Sequence, residues 1–228
     1  RQATDVDSWN GPHDRARVRS HRGLLDKFQK AKEAQVNWAK TPLKKRLASI
    51  EKFKSLITEE KDNLARVLTN ETGKPITQSK NELNGLLTRI DFFLKETPKV
   101  LKEEKVSAKD AVISEKIAKE PLGVIANVSA WNYPYFVGSN VFIPALLTGN
   151  AVLYKPSEYA SCTGTLISQL LHDAGVPQEL FVLIIGGGKV GEELLKLPLD
   201  GVFFTGSYAT GKKINEQVAS QLTKVQLE

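Results

Sequence analysis

Five short groups of residues in this chain combine types and spacings that can do chemistry. Each directly follows an apolar run. The first is Trp131-Asn132, ahead of Tyr133-Pro134. A side-chain amide at the end of a strand can donate to a developing oxyanion; an asparagine before an aromatic-proline pair also suits a plain turn. The second is Lys155-Pro156-Ser157-Glu158. A lysine and a glutamate three residues apart can hold ribose hydroxyls, and the Glu158 carboxylate would repel a 2′-phosphate. The alternative is a surface pair worth little energy. The third is Gly186-Gly187-Gly188-Lys189-Val190-Gly191, a G-x-G-x-x-G match between a strand and a helix. It follows the third strand rather than the first. The acidic partner expected about twenty residues on is missing, since Asp200 comes too early. A tight turn packed closely on its neighbours explains the run equally well.

The fourth group is Phe204-Thr205-Gly206-Ser207, with Gly211 four residues on. A small glycine-containing turn into a helix points free N–H groups at an anion, and Ser207 can add a hydroxyl. An ordinary serine N-cap reads the same way. The fifth is Glu228, a carboxylate after the last strand, able to act as a general base. Cys162 is the one cysteine. It has no glycine-rich elbow or neighbouring base, and its place between Ser161 and Thr163 suits a small residue opening a helix.

Composition limits the function classes. The 228 residues are 41% hydrophobic, enough for a real core, and carry a formal charge of +6. Much of that excess lies in Arg15, Arg17 and Arg19 and in Lys44-Lys45-Arg46. No interleaved aromatics or known module accompany it, so a nucleic-acid partner is not expected. The basic residues suit solvated helices and an anionic cofactor. The longest apolar run, Phe181 to Ile185, is far too short to span a membrane. The scattered His13, His21 and His172 lack metal-ligand spacing, and one cysteine suits a reducing, cytoplasmic setting.

The elements that must position these groups fall into two halves. Residues 1 to about 20 read as an irregular polar arm. Leu24, Phe28, Ala31 and Trp38 then predict a helix, as do Leu43, Leu47, Ile50, Phe53 and Ile57 after a Thr41 N-cap with Pro42 at the first helical position. Leu83, Leu86, Ile90, Phe93 and Leu94 predict a third, beyond a break at Gly73-Lys74-Pro75. Residues 106–119 read as a polar hairpin. From Pro121 short strands (124–128, 151–154, 181–185, 202–204, 224–227) alternate with helices near 137–147, 161–174, 189–196 and 208–220. That alternation predicts a doubly wound α/β fold with a parallel sheet, Rossmann-like, whose ligands lie at the carboxyl ends of the strands. The expected division is residues 1–105, an arm and helices; 106–119, a protruding hairpin; and 120–228, the nucleotide-binding region.

In this order the groups resemble the aldehyde dehydrogenase superfamily, from Ala34-Gln35 and Trp38-Ala39 through Glu71-Thr72-Gly73-Lys74-Pro75 and Trp131-Asn132 to Glu228. The resemblance implies NAD(P)-dependent oxidation of an aldehyde to a carboxylate. A cysteine thiolate attacks the aldehyde, hydride passes to the nicotinamide, and the thioester left behind is hydrolysed. On this pattern Asn132 serves the oxyanion and Glu228 activates water. Lys155 and Glu158 hold the adenosine ribose, and Ser157 belongs to the same cofactor site. Gly188 and Ser207 line the adenine and pyrophosphate region beside Trp131, and Gly206 belongs to the same cofactor site. NAD is expected over NADP because of Glu158. The hairpin implies a homodimer or homotetramer. The family's nucleophilic cysteine lies beyond Glu228, so these residues are expected to be the N-terminal part of a longer enzyme and inactive alone. A noncatalytic paralogue and an unrelated binding module using Gly186 to Gly191 are the other readings.

Overall fold

A computed structural model describes residues 21–106 and 113–228. The expected arm at residues 1–20 and the tip of the expected hairpin lie outside the described residues. Three helices come first: α1 (His21–Lys40), α2 (Leu43–Thr72) and α3 (Ile76–Val100). Residues three and four apart on α2 are buried, including Ile50, Phe53, Ile57, Leu64 and Leu68, because that stripe meets α3 and the sheet-side helices. Gly73 ends α2 at φ 72°, in the left-handed region where a side chain is strained, and its N–H returns to Thr69 O at 2.9 Å. Pro75 then opens α3.

The expected Thr41 N-cap is not formed. Pro42 takes the N-cap position of α2, and the Thr41 hydroxyl instead donates back to Asn37 O in α1 at 3.1 Å. A threonine one residue after a helix finds the preceding turn's carbonyl sooner than the next helix's amides.

After α3, β1 (Glu104–Lys105) pairs antiparallel with β2 (Lys116–Ile117) through two residues on each side, all exposed. Then the α/β alternation begins: β3 (Val124–Val128), α4 (Pro134–Leu147), β4 (Ala151–Lys155), α5 (Ser161–Asp173), β5 (Phe181–Leu183), α6 (Gly188–Leu194), β6 (Gly201–Phe204), α7 (Tyr208–Val218) and β7 (Lys224–Leu227). The strands form one parallel sheet in the order β5-β4-β3-β6-β7. This is the doubly wound sheet that the alternation predicts. The chain builds outward from β3 first to one side and then to the other, so the winding reverses between β3 and β6. Several boundaries shift by a residue or more from expectation, and two of the shifts have a plain cause. α4 starts at Pro134, three residues early, because proline is preorganised for a helix's first turn. β5 stops at Leu183, since Gly186 at φ 153° turns the chain soon after.

β3 and β4 are buried along almost their whole length, as a sheet covered on both faces requires. At its centre Phe142 of α4 meets Tyr154 of β4, Phe181 of β5 and Phe53 of α2 edge-to-face, at 5.7, 5.2 and 6.3 Å between ring centres. Asp200 has a structural task. Its carboxylate accepts the Val124 N–H at 2.8 Å and its own N–H donates to Val124 O, locking the start of β3 beside β6.

Candidate cofactor and active site

All five groups of the sequence lie along the carboxyl edge of the sheet. Across that edge they stand in the order Gly186–Gly191 after β5, Lys155–Glu158 after β4, Trp131-Asn132 after β3, Thr205–Ser207 after β6 and Glu228 after β7. Two links hold neighbouring groups together. The Ser129 N–H donates to Lys155 O at 3.0 Å and the Thr205 N–H to Val128 O at 3.1 Å. The edge includes the point where the winding reverses, the place where ligands bind in doubly wound sheets.

Lys155 is the most informative residue of this edge. It ends β4 and is only 4% exposed. Its ammonium donates to Pro156 O at 3.4 Å and has no carboxylate ion-pair partner among the described residues. Burial pushes its pKa down, partly opposed by the charge of Glu158. A buried lysine without a bound acid costs free energy unless something else completes its hydrogen bonds. The glycine run has shaped itself around this side chain. A Cβ on Gly191 would sit 3.5 Å from Lys155 Cε, and one on Gly187 would sit 3.8 Å from the Glu158 carboxylate. A Cβ on Gly186 would strike Val190, while Gly188, at the start of α6, faces open space. So the run gives close packing at Gly186 and Gly191 and an unobstructed surface at Gly188. Ser157 caps the short 3₁₀ turn Glu158–Ala160 by accepting the Tyr159 N–H, and Glu158 is exposed beside it.

On the other side of the reversal, Ser207 is the N-cap of α7. Its hydroxyl accepts the Thr210 N–H at 3.3 Å and donates to Thr210 Oγ1 at 3.0 Å. The Gly206 N–H donates to Glu228 O at 3.0 Å, and a Cβ there would strike the Phe204 ring. Glu228 thus has its backbone fixed on both sides, by Gly206 and by Phe204 O at 2.9 Å, while its exposed carboxylate accepts from Gln226 Nε2 at 3.0 Å.

Trp131 and Asn132 are exposed between these two halves. Asn132 Oδ1 accepts the Tyr133 N–H at 3.1 Å. That bond uses the amide's oxygen, whereas an oxyanion donor would use its nitrogen.

Two carboxylates that the sequence reading did not assign hold this edge in place. Neither α4 nor α5 has a side-chain cap of its own or an acidic residue in its first turn. Glu82 of α3 supplies one from a distance, with Oε1 accepting the Tyr135 and Phe136 N–H groups at 2.8 and 3.2 Å. Its Oε2 is ion-paired with Lys74 at 2.5 Å, and the Lys74 ammonium lies 3.8 Å over the Tyr133 ring. Burial raises the Glu82 pKa, opposed by Lys74 and the two amides. Glu71, at the end of α2, does the same for α5, taking the Cys162 and Thr163 N–H groups at 2.6 and 2.9 Å and the Thr163 hydroxyl at 2.7 Å. Both bracket the Gly73-Lys74-Pro75 turn. Cys162 is therefore an exposed residue in the first turn of α5, as its flanks suggest.

Lys155 and the open surface at Gly188 fit a nucleotide, since ribose hydroxyls would complete the buried ammonium's bonds. The class defined by this fold and edge is a nucleotide-binding α/β domain. The family follows from comparison with known proteins. The aldehyde dehydrogenase family model matches residues 21–228, and the chain belongs to that family. The N-succinylglutamate 5-semialdehyde dehydrogenase of Salmonella agona is 34% identical over 203 residues, covering 89% of this chain and 41% of that protein. The enzyme of the same name from Novosphingobium aromaticivorans is 32% identical over 199 residues, covering 86% and 42%. Among solved structures, betaine aldehyde dehydrogenase from Staphylococcus aureus in complex with NAD+ superposes with a TM-score of 0.87 at 29% identity, over 92% of this chain and 42% of that one. An NADP-dependent enzyme of E. coli gives 0.85 at 30% identity, over 92% and 44%. The chain thus spans about two fifths of the curated relatives it matches. Among the described residues, no helix is long and apolar enough to cross a membrane.

Proposed function

We propose that this chain is the cofactor-binding part of an NAD-dependent enzyme that oxidises an aldehyde to a carboxylate. The buried, incompletely bonded Lys155 at the carboxyl edge supports this reading most directly. When bound, the nicotinamide cofactor accepts the hydride of the oxidation. The chain's own residues prepare the site for it. Lys155 and Glu158 take the adenosine ribose hydroxyls, with Ser157 holding the turn between them. Gly188 leaves room for the adenine end beside Trp131, and Gly206 and Ser207 form the opposing wall. The exposed Glu158 carboxylate disfavours a 2′-phosphate, which supports NAD over NADP.

Asn132 donates from its amide nitrogen to the oxygen of the aldehyde as charge builds there. Glu228 takes a proton from the water that completes the oxidation. The nucleophile comes from outside these residues, so the 228-residue chain binds cofactor without turning over aldehyde. The β1–β2 pair is the proposed contact of a homodimer or homotetramer working in the cytoplasm. The test is calorimetry of the chain with NAD+ and NADP+, alongside NAD+ reduction assayed with an aldehyde panel. Binding of NAD+ without reduction is expected. Turnover by this chain alone, or no binding of either nucleotide, would refute the reading.

A further inference from the structure

Asn132 sits in a run of three exposed residues. Trp131 and Tyr133 are 51% and 47% exposed, and Asn132 between them is exposed as well. Little packing surrounds such a run, and α4, which begins directly after it, has no side-chain cap of its own. Yet an oxyanion donor has to stand within a narrow range of distance and direction. Its position has to be set from outside the run.

Lys74 reaches the run from the turn between α2 and α3. Its backbone is set by its neighbours, since Gly73 takes the left-handed region at φ 72° and Pro75 restricts the residue before it to extended backbone. Its side chain is only 10% exposed. The ammonium lies 3.8 Å over the centre of the Tyr133 ring and 2.5 Å from Glu82 Oε2, while Glu82 Oε1 takes the Tyr135 and Phe136 N–H groups. Tyr133 is thereby held by its ring on one side and through the residues that follow it on the other. The Tyr133 N–H in turn donates to Asn132 Oδ1 at 3.1 Å, so the plane of the Asn132 amide follows the Tyr133 backbone. Stability alone does not account for this arrangement, because a buried ion pair is often no more stable than apolar side chains of the same volume. A largely desolvated cation over a ring face adds direction, keeping the ring where it meets the charge.

We propose that Lys74 is a positioning residue for Asn132, acting through Tyr133. This rests on the proposed donation from Asn132 to the aldehyde oxygen. It gives the Gly73-Lys74-Pro75 turn a part in the rate of the oxidation, exerted only through the Asn132 amide.

The test is a double-mutant cycle on the intact protein that carries this chain, read as NAD+ reduction with butanal. Lys74→Met is made together with Glu82→Gln, so that no buried charge is left alone and the glutamine oxygen can still accept the two N–H groups. Asn132→Ala should lower kcat by roughly 100- to 1,000-fold, the range of one oxyanion donor. The paired change at Lys74 and Glu82 should lower kcat and kcat/KM alike by roughly 10- to 100-fold, the scale of a small misplacement of a reacting group. In the Asn132→Ala background the same paired change should cost no more than about twofold, because the group that it positions is gone. Equal losses in both backgrounds would mean that Lys74 only supports the fold, and a loss confined to KM would also overturn the proposal. If Asn132→Ala itself cost nothing, the reaction assignment would fall instead, and a second measurement that needs no turnover would decide the positioning. In the 228-residue chain the Asn132 side-chain N–H resonances, assigned by their loss in Asn132→Ala, should shift on the paired change at Lys74 and Glu82. They should shift likewise in Tyr133→Leu, which keeps the ion pair and loses only the ring. Resonances unmoved by the paired change would overturn the proposal whatever the enzyme's activity.

Discussion

Replacing Lys155 with methionine should stabilise this chain and at the same time damage its binding of NAD+. Methionine has nearly the same volume and length as lysine, so it can follow the same path beneath Gly191, where the stem runs 3.5–3.7 Å from the Cβ position. What it removes is a buried ammonium that makes one long hydrogen bond, to Pro156 O at 3.4 Å. Exchanging buried charges for apolar groups of similar volume is worth about 1–4 kcal/mol. A lone, half-satisfied cation belongs in the lower part of that range, about 1–3 kcal/mol. For a domain of this size that corresponds to roughly 2–10 °C in Tm. The pH dependence has a definite sign. Burial sets the folded pKa of Lys155 below its unfolded value of 10.5. Between the two values the unfolded chain holds more protons, so stability rises with pH there. Below the folded value the cost of the buried charge is fully present. The methionine variant should therefore gain most near neutrality, and the difference should shrink as pH climbs towards 10.5. In the other direction, a lost hydrogen bond from a charged group to ribose costs about 1.5–3 kcal/mol, or roughly 10- to 100-fold in Kd. Urea unfolding at two pH values and NAD+ calorimetry measure both effects. A less stable variant at neutral pH would show that the ammonium is well satisfied, and an unchanged Kd would remove Lys155 from the cofactor site.

Gly188→Trp should leave the urea midpoint nearly unchanged, because that position meets no atom within 4 Å, yet weaken NAD+ binding at least tenfold by calorimetry. Phe142→Ala removes the ring shared by Phe53, Tyr154 and Phe181 and should cost about 3–5 kcal/mol in urea unfolding. Glu82→Gln should destabilise the chain by about 1–3 kcal/mol and also flatten its acid-side profile. With its folded pKa raised above 4.5, Glu82 in the folded state holds its proton longer than in the unfolded state, so its contribution falls as pH rises from 4.5 through the folded value. The glutamine variant should lack that slope when urea midpoints are compared across mildly acidic pH.

Much of the architecture was legible because local signals and burial agree. The apolar runs at 124–128 and 151–155 lie in the middle of the sheet, where both faces are covered, so their composition alone reports their place. Gly73 was legible for a similar reason, since a glycine and a proline two residues apart leave a helix few ways to continue. The carboxyl-edge groups could be found by their position after strands. What each does there could not, and Gly191 shows why: its purpose is the stem of Lys155, thirty-six residues away in sequence and in contact only through the fold. Glu71 and Glu82 were illegible for the same reason. They carry no local cap signature, and the amides they serve are 91 to 92 and 53 to 54 residues distant. The Thr41 misassignment has a local cause, because a hydroxyl between two helices can satisfy either one.

The borrowed caps also set an order of assembly. A helix that carries its own cap can complete its first turn as soon as it forms. Here the first turns of α4 and α5 stay unfinished until loops of some fifty and ninety residues have closed. Those amides should therefore be protected late in refolding, after the helical hairpin of α2 and α3 has docked on the sheet. In the native protein they should exchange with solvent only when the two layers separate. The turn that presents Asn132 thus inherits its rigidity from whole-domain cohesion rather than from its own helix.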